Sequence, residues 1–443
     1  MSVTVFWGCQ IPAQLPFLEK TARNLFSLLG LDYRDLEETT CCPEKLIVAE
    51  KAPFHHLLTA ARNLALAERE GADIVTLCNG CYSTLATTQR RVKCDPILQQ
   101  RVNERLASIG LSLEGKFAVR NIIEAIDHDV GIGQLRKRLK RPLTGLRVAV
   151  HYGCNLLRPL DLLQFDDPFA PESVDRLVTA LGGMSVDYPT KLDCCGGNFT
   201  LLDAPDRCRD MLASKLKGVM SAKPDLLLVS CPSCFTQFDV RQERLAREQG
   251  FAPVPVLHIV ELVHYALAAE LDEAALKRHR VKLDPVFEKL ASEKRRREAL
   301  AGMLDVPLLD ACAACGACDE DCPVCRSDPS YSANAIVKLV AEGRIAEAME
   351  MGAQWRCLDC LACEALCPNH FGMVAVFRAL RKLSLEGGVS PETLAKAHEA
   401  FVSSGLVAQT ASGLRKRLDL PDVPTADPEE LKRLLSEDPP VSS

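Results

Sequence analysis

The sequence has no uncharged apolar stretch long enough to cross a membrane. The nearest, Ile259 to Ala269, is interrupted by Glu261 and His264, so no transmembrane segment is expected. It has no basic excess either: a formal net charge of -6 over 443 residues leaves no electrostatic footprint for nucleic acid. Met1-Ser2 leads into a strand pattern without the basic start of a signal peptide, and a cytoplasmic location is expected. Gly131-Ile132-Gly133 lacks the third glycine of a dinucleotide fingerprint and follows no clear strand. We read it as a loop and expect no flavin or nicotinamide in this chain.

Cysteine, by contrast, is abundant. Twenty-one cysteines in a chain without an export signal argue against a disulfide scaffold and for thiolates used as metal ligands or redox groups. Eighteen fall into regular arrays, and Cys94, Cys208 and Cys325 are left over as packing thiols. The largest array is duplicated. In the first copy 31 residues separate Cys9 from Cys41-Cys42, and 35 more precede Cys78-Asn79-Gly80-Cys81. In the second, 39 residues separate Cys154 from Cys194-Cys195, and 35 again precede Cys231-Pro232-Ser233-Cys234. Equal 35-residue intervals between the same two motifs indicate an internal duplication.

The surrounding residues repeat as well. Apolar runs end at Trp7-Gly8-Cys9 and Tyr152-Gly153-Cys154, further runs lead into Cys78 and Cys231, and a helical pattern follows each C-x-x-C. Thiols from the ends of parallel strands would converge where α/β folds place their sites. Each copy offers five thiols, one more than a zinc ion or a cubane cluster requires. Neighbouring cysteines on an extended chain point apart, so each Cys-Cys pair needs a turn, which Gly196-Gly197 would permit.

The expected fold is a duplicated α/β cysteine-rich domain, with lobes at 1-143 and 144-271, followed by a charged helical linker at 272-304 centred on Lys294-Arg295-Arg296-Arg297. Helices are expected over Pro16 to Leu29 and about Phe54 to Glu70, stopped by Gly30 and Gly71. Each lobe closes on a strand-to-helix step, Val119 to Glu124 and Val256 to Glu261. The basic run Arg136 to Arg141 reads as a solvated helix end or linker, with an anion dock as the alternative. Residues 305-410 form a mostly helical ferredoxin-like domain, with helices from about Ala333 to Met351 and from Glu392 to Val402; 411-443 reads as a loosely ordered tail.

That domain carries Cys312-x-x-Cys315-x-x-Cys318-x-x-x-Cys322-Pro323 and Cys357-x-x-Cys360-x-x-Cys363-x-x-x-Cys367-Pro368, paired runs of bacterial ferredoxin type. In such pairs the fourth cysteine of each run crosses to the other cluster. Cys312, Cys315, Cys318 and Cys367 are therefore assigned to one cubane [4Fe-4S] cluster, and Cys357, Cys360, Cys363 and Cys322 to the second.

Taken together, the duplicated arrays resemble the catalytic B-type component of heterodisulfide reductase, and Ala311 to about Ala408 resembles its C-type component, as in a natural B-C fusion. The resemblance implies two noncubane [4Fe-4S] clusters flanking a cleft, one held by Cys9, Cys41, Cys42, Cys78 and Cys81, the other by Cys154, Cys194, Cys195, Cys231 and Cys234. It implies reductive cleavage of a disulfide such as CoM-S-S-CoB, each noncubane cluster supplying one electron. The cubane clusters would relay electrons from a flavin-containing A-type subunit, itself served by a hydrogenase, a formate dehydrogenase or an NAD(P)H-oxidising module. An anaerobic setting and flavin-based electron bifurcation belong to the same expectation.

Three alternatives stand beside it. A thioredoxin-like dithiol fits either C-x-x-C alone, but not with three further cysteines in register twice over. A structural zinc needs only four of the five thiols. The strongest rival is an electron-transfer subunit of a larger bifurcating or dehydrogenase complex with another acceptor. Among the histidines, His151 and His370 sit three residues from Cys154 and Cys367, where a packing role competes with tuning a cluster or passing a proton; His55-His56 and His258 are read as packing groups. An anionic substrate would want basic residues such as Arg90, Arg91 or Arg158, which sequence cannot place.

Overall fold

The computed structural model describes residues 3–202, 204–268, 272–304, 315–369, 371–407 and 412–419, together with positions 309, 312, 421, 423, 429, 433 and 434. The chain forms two compact units, Met1–Lys294 and Arg295–Ser443.

The first unit holds two four-stranded parallel sheets of the same topology. Strands β1 (Val3–Phe6), β2 (Tyr33–Asp35), β3 (Asp73–Thr76) and β4 (Val119–Asn121) run in the order β2-β1-β3-β4. Strands β5 (Arg147–His151), β6 (Met184–Val186), β7 (Leu226–Val229) and β8 (Val256–His258) run β6-β5-β7-β8. The central pairs are in register Val3 with Asp73 and Val148 with Leu226. The duplication seen in the cysteines is therefore a duplication of fold.

Helices cover the sheets where the apolar periodicity placed them. Helix α1 (Pro16–Leu29) starts with Pro at its first turn, buries Leu18, Ala22, Leu25, Phe26 and Leu29, and stops where Gly30 turns left-handed at φ 70°. Helix α2 (Pro53–Glu70) stops at Gly71 in the same way. Helix α3 (Asn79–Cys94) follows the first C-x-x-C. The closing steps share a cap. Asn121 accepts from the Ile123 N–H while Glu124 accepts from the Asn121 N–H, and His258 and Glu261 repeat this at the start of helix α4 (Ile259–Leu267).

The two lobes share one core. Helix α1 of the first packs against α4 of the second, joining Leu18, Leu25 and Phe26 to Ile259, Val260 and Val263. The basic run between the lobes is stitched to this core: Lys140 and Arg141 donate backbone N–H groups to Ala266 O at 2.9 and 3.0 Å, and Arg138 Nη1 donates to Leu29 O at 3.0 Å. Gly131-Ile132-Gly133, expected as a loop, instead begins a short helix, Ile132–Lys137, with Gly131 at φ 79° ahead of it. The charged segment after residue 272 also differs from a free linker. Leu283, Val286 and Leu290 bury in the core and Lys289 Nζ reaches Asp225 at 2.8 Å, because helical spacing gathers the few apolar residues onto one face. The division into units falls within the helix Asp284–Ala301.

The second unit is helical. Its core joins Ile336, Val337, Val340, Ile345 and Ala348 to Phe377 and Leu380. The helix expected from Ala333 to Met351 is two, Ala333–Ala341 and Ile345–Glu350, because Gly343 takes φ 75° and turns the chain between them. The helix Glu392–Ser404 lies where expected. Among the described residues no helix is long and apolar enough to cross a membrane.

Candidate metal centre

Each five-cysteine array assembles at the carboxyl ends of its sheet. Cys9 and Cys154 follow β1 and β5, and Cys78 and Cys231 follow β3 and β7, the two central strands in each case. In the first array Cys9 Sγ lies 3.6 Å from Cys41 Sγ, Cys42 hydrogen-bonds with Cys41 and Cys81, and Cys81 hydrogen-bonds with Cys78. In the second, Cys154 Sγ lies 4.0 Å from Cys194 Sγ and Cys195 Sγ 3.6 Å from Cys234 Sγ, with Cys194 hydrogen-bonded to Cys195 and Cys234 to Cys231. Cys78 Sγ and Cys231 Sγ stand 3.9 Å apart. Ten free sulfurs thus form one string, exposed at Cys9 and buried at Cys42, Cys81, Cys195, Cys231 and Cys234.

Glycine makes the close approach possible. Gly8 sits at φ +70°, and a Cβ there would stand 2.8 Å from Cys81 Sγ. At its counterpart Gly153, φ +78°, a Cβ would stand 3.0 Å from Asn79 Nδ2 and 3.7 Å from Cys234 Sγ. The Cys-Cys turns are braced from the covering helices. Buried Asn63 on α2 accepts from the Thr40 N–H at 3.0 Å and donates to Cys41 O at 3.3 Å. Buried Lys215, on the helix Pro205–Ser221, donates to the carbonyls of Thr190, Lys191 and Asp193 ahead of Cys194. Gly196, left-handed, donates its N–H to Cys194 Sγ at 3.4 Å, the turn its sequence position suggested.

Polar residues inside the C-x-x-C motifs lock the lobes together. Asn79 Nδ2 donates to Tyr152 O at 2.8 Å and Ser230 Oγ at 3.0 Å, and its Oδ1 accepts from Asn121 Nδ2 at 3.2 Å. Ser233 Oγ donates to Gln10 Oε1, beside Cys9, at 2.8 Å. Each lobe's C-x-x-C therefore holds the other lobe's site in place.

The donor sets fit bound metal. Two thiolates on one ion with bonds of about 2.3 Å stand about 3.8 Å apart at the tetrahedral angle, the spacing of the neighbouring pairs. Sulfurs this close cannot all ionise by themselves. Hydrogen bonds from Cys41 and Cys81 bring Cys42 down to about 5, and bonds from Cys154 and Cys195 bring Cys194 down to about 2. Their neighbours go the other way: Cys9 and Cys154 rise, first by the bonds to Cys41 and Cys194 and then by burial. A multivalent cation removes this conflict by taking all the thiolates at once and releasing their protons.

Basic and imidazole groups face the string. Lys45, three residues past Cys42, donates Nζ to Ser83 Oγ at 2.8 Å; burial lowers its pKa, opposed by the charges of Glu44, Cys154 and Cys42, so its ammonium senses both arrays. Arg91 senses Lys45 and His56. His151 is buried with both ring nitrogens unpartnered, and burial lowers its pKa to about 3. One of its nitrogens and the sulfurs of Cys195 and Cys234 lie within 4.8 Å of one another. His258 serves as the helix cap already described. Sequence reasoning missed Lys45, Asn63, Asn79 and Lys215; only Asn79, as an insertion within a C-x-x-C, stood at a marked position.

In the second unit a pocket is lined by Cys322, Cys357, Cys360 and Cys363, with Tyr331 and Phe377. Burial raises Cys363 to about 11. Of the other four, Cys318 is buried, Cys312 and Cys367 pack against the same core as Cys357 and Cys363, and Cys315 is exposed; Cys367 Sγ accepts from the Phe371 N–H at 3.3 Å. Cys325 bonds to Asp319, Cys208 accepts from Gln237 Nε2 at 3.3 Å, and Cys94 is exposed. His370 lies outside the described residues.

Comparison with known proteins finds similarity in both units. Residues 3–86 and 148–239 match the cysteine-rich domain family CCG, and residues 308–371 match the 4Fe-4S dicluster domain. Over 283 residues the chain is 35% identical to the B-type component of the ferredoxin/F(420)H(2)-dependent CoB-CoM heterodisulfide reductase of Methanosarcina acetivorans, covering 63% of this chain and 93% of that protein. It is 30% identical over 274 residues to the 8-methylmenaquinol:fumarate reductase membrane anchor subunit of Wolinella succinogenes, covering 61% and 94%. Over 87 residues it is 36% identical to the C-type component of the ferredoxin:CoB-CoM heterodisulfide reductase of Methanosarcina acetivorans, covering 20% of this chain and 34% of that protein. With its duplicated cysteine fold in front and its dicluster unit behind, the chain belongs to the B-type family of heterodisulfide reductase iron–sulfur proteins, with C-type sequence fused to it.

Proposed function

We propose that this chain is a B-C type subunit that reduces a disulfide to two thiols, RSSR′ + 2e⁻ + 2H⁺ giving RSH + R′SH. The observation that carries the reading is the 3.9 Å contact between Cys78 and Cys231, which sets the two five-thiol arrays side by side rather than at separate ends of the molecule. Cys9, Cys41, Cys42, Cys78 and Cys81 would hold one noncubane [4Fe-4S] cluster and Cys154, Cys194, Cys195, Cys231 and Cys234 the other. Such clusters, when bound, supply electrons singly and offer iron to thiolate sulfur. The protein's part is to bury the inner sulfurs from water and hold the arrays in register through Asn79 and Ser233. Lys45, whose Nζ is held by Ser83 Oγ at 2.8 Å and feels the charges of Cys154 and Cys42, would be the group to give a departing thiolate its proton.

In the second unit Cys357, Cys360, Cys363 and Cys322 would hold one cubane cluster, and Cys312, Cys315, Cys318 and Cys367 the other; the shared pocket of the first four supports the crossed assignment. Electrons would come from a flavin-containing A-type partner in the cytoplasm. A relay role with another acceptor is the second reading, favoured by the similarity to a subunit of a quinol:fumarate reductase. Anaerobic assay of the iron-loaded chain with reduced viologen and a panel of small disulfides separates the two. Thiol release supports the reductase, and inactivity on every disulfide supports the relay. Iron and sulfide near four per site, with no zinc, test the clusters themselves.

A further inference from the structure

The two arrays are copies in spacing but not in surroundings. Three residues before the first cysteine, the first lobe has Phe6 and the second His151. Phe6 is buried and offers no polar atom. His151 is 2% exposed, packs edge-on against Phe238 with ring centroids 5.0 Å apart, and finds no hydrogen-bond partner for either nitrogen among the described residues. An unpaired buried imidazole is costly, and the groups beside it are Cys195 and Cys234. The braces behind the Cys-Cys turns differ in the same sense. The first lobe uses neutral Asn63, and the second uses Lys215, whose ammonium senses Asp193, Cys234, Cys195 and Cys194. Glu44 adds a negative charge near Cys42 in the first lobe and Asp193 one near Lys215 in the second, and Lys45 senses Cys42 and Cys154, so the hydrogen-bond donor that only the second lobe has is His151.

Hydrogen bonds to cluster sulfur and nearby positive charge raise the potential of an iron–sulfur centre by stabilising its more negative, reduced form. We infer that the two sites are electronically unequal: His151 directs an N–H at the group held by Cys195 and Cys234 and, with Lys215, makes the second site easier to reduce than the first. This rests on the cluster reading above and adds an order to it. Electrons entering the pair settle at the second array, and the first is the stronger reductant.

The test is a potentiometric titration of the full chain, loaded with iron and sulfide under anaerobic conditions and labelled with ¹⁵N-histidine, followed by electron paramagnetic resonance. Beside the signals of the two cubane centres, which Cys322→Ala and Cys367→Ala identify, the two arrays should give two signals with separate midpoints, and these two are compared. The signal with the higher midpoint should show a ¹⁵N coupling. In H151F that coupling disappears and the same midpoint falls by at least the about 59 mV that a tenfold shift of a one-electron couple represents, while the other midpoint stays in place. H151Q, which keeps an N–H donor, should retain most of the separation. Coinciding midpoints, no ¹⁵N coupling in the wild type, or an H151F midpoint that does not move would each overturn the inference. If H151F loses the second centre entirely, the wild-type coupling and the H151Q midpoint decide. Absence of iron from the second array in the wild type would instead sink the cluster reading itself.

Discussion

Gly8→Ala separates backbone strain from damage to the metal site. Gly8 and Gly30 share φ 70°, but a Cβ at Gly30 meets nothing within 4 Å, whereas one at Gly8 stands 2.8 Å from Cys81 Sγ. Both variants should lose about 1–2 kcal/mol for holding alanine in the left-handed region. Only G8A must also push a sulfur away. Optimal contacts lie at about 3.5–4.0 Å, so Cys81 Sγ has to retreat by about 0.7 Å or more, several times the about 0.2 Å tolerance of a metal–ligand bond. The expected result is that G30A keeps full iron and sulfide with reduced stability, while G8A loses the iron of the first array on top of the same loss. Urea denaturation of the metal-free chains gives the first quantity, and iron and sulfide analysis after anaerobic loading gives the second. If G8A loads as much iron as G30A, Cys81 is not held where a ligand must be, and the assignment of the first array fails with it.

Other outcomes follow from the same structure. Cys322→Ala should remove about four irons and abolish the signal that Cys357→Ala abolishes, while leaving the signal lost in Cys367→Ala; pairing of Cys322 with Cys367 instead would refute the crossed assignment. Lys45→Met should lower kcat/KM for disulfide reduction by about 100-fold with iron content unchanged, and K45R should recover part of it; unchanged kinetics would remove Lys45 from the reaction. His279 sets a pH dependence. Burial alone would lower its pKa, but the Glu261 carboxylate at 2.9 Å and the charge of Asp239 raise it above 6.5. A histidine raised on folding stabilises the fold below its unfolded value and loses that contribution as pH rises through its folded value. Denaturation midpoints of the metal-free chain should therefore fall as pH climbs above 6.5, and H279Q should flatten that slope.

Much of the architecture was legible in the chain itself, for local reasons. The cysteines recur at fixed spacing from the apolar runs before them, so Cys9, Cys78, Cys154 and Cys231 announced strand ends. Gly30 and Gly71 announced helix stops because few other residues tolerate the left-handed region at low cost. Where a single glycine inside a helical pattern took that conformation, at Gly343, periodicity misread two helices as one. Apolar residues thinly spread among charges, Leu283, Val286 and Leu290, were equally hard to see as core.

By itself, the sequence determined that two five-thiol arrays and a pair of ferredoxin runs exist, because the spacing of cysteines along the chain is fully present in one dimension. Only the tertiary structure decided that Cys78 meets Cys231, that Asn79 and Ser233 tie each site to the opposite lobe, that His151 lies beside sulfur and that Lys45 reaches Ser83. Those relations join residues far apart in the chain, and an imidazole, an amide or an ammonium acquires its role only from the groups that burial leaves it to face.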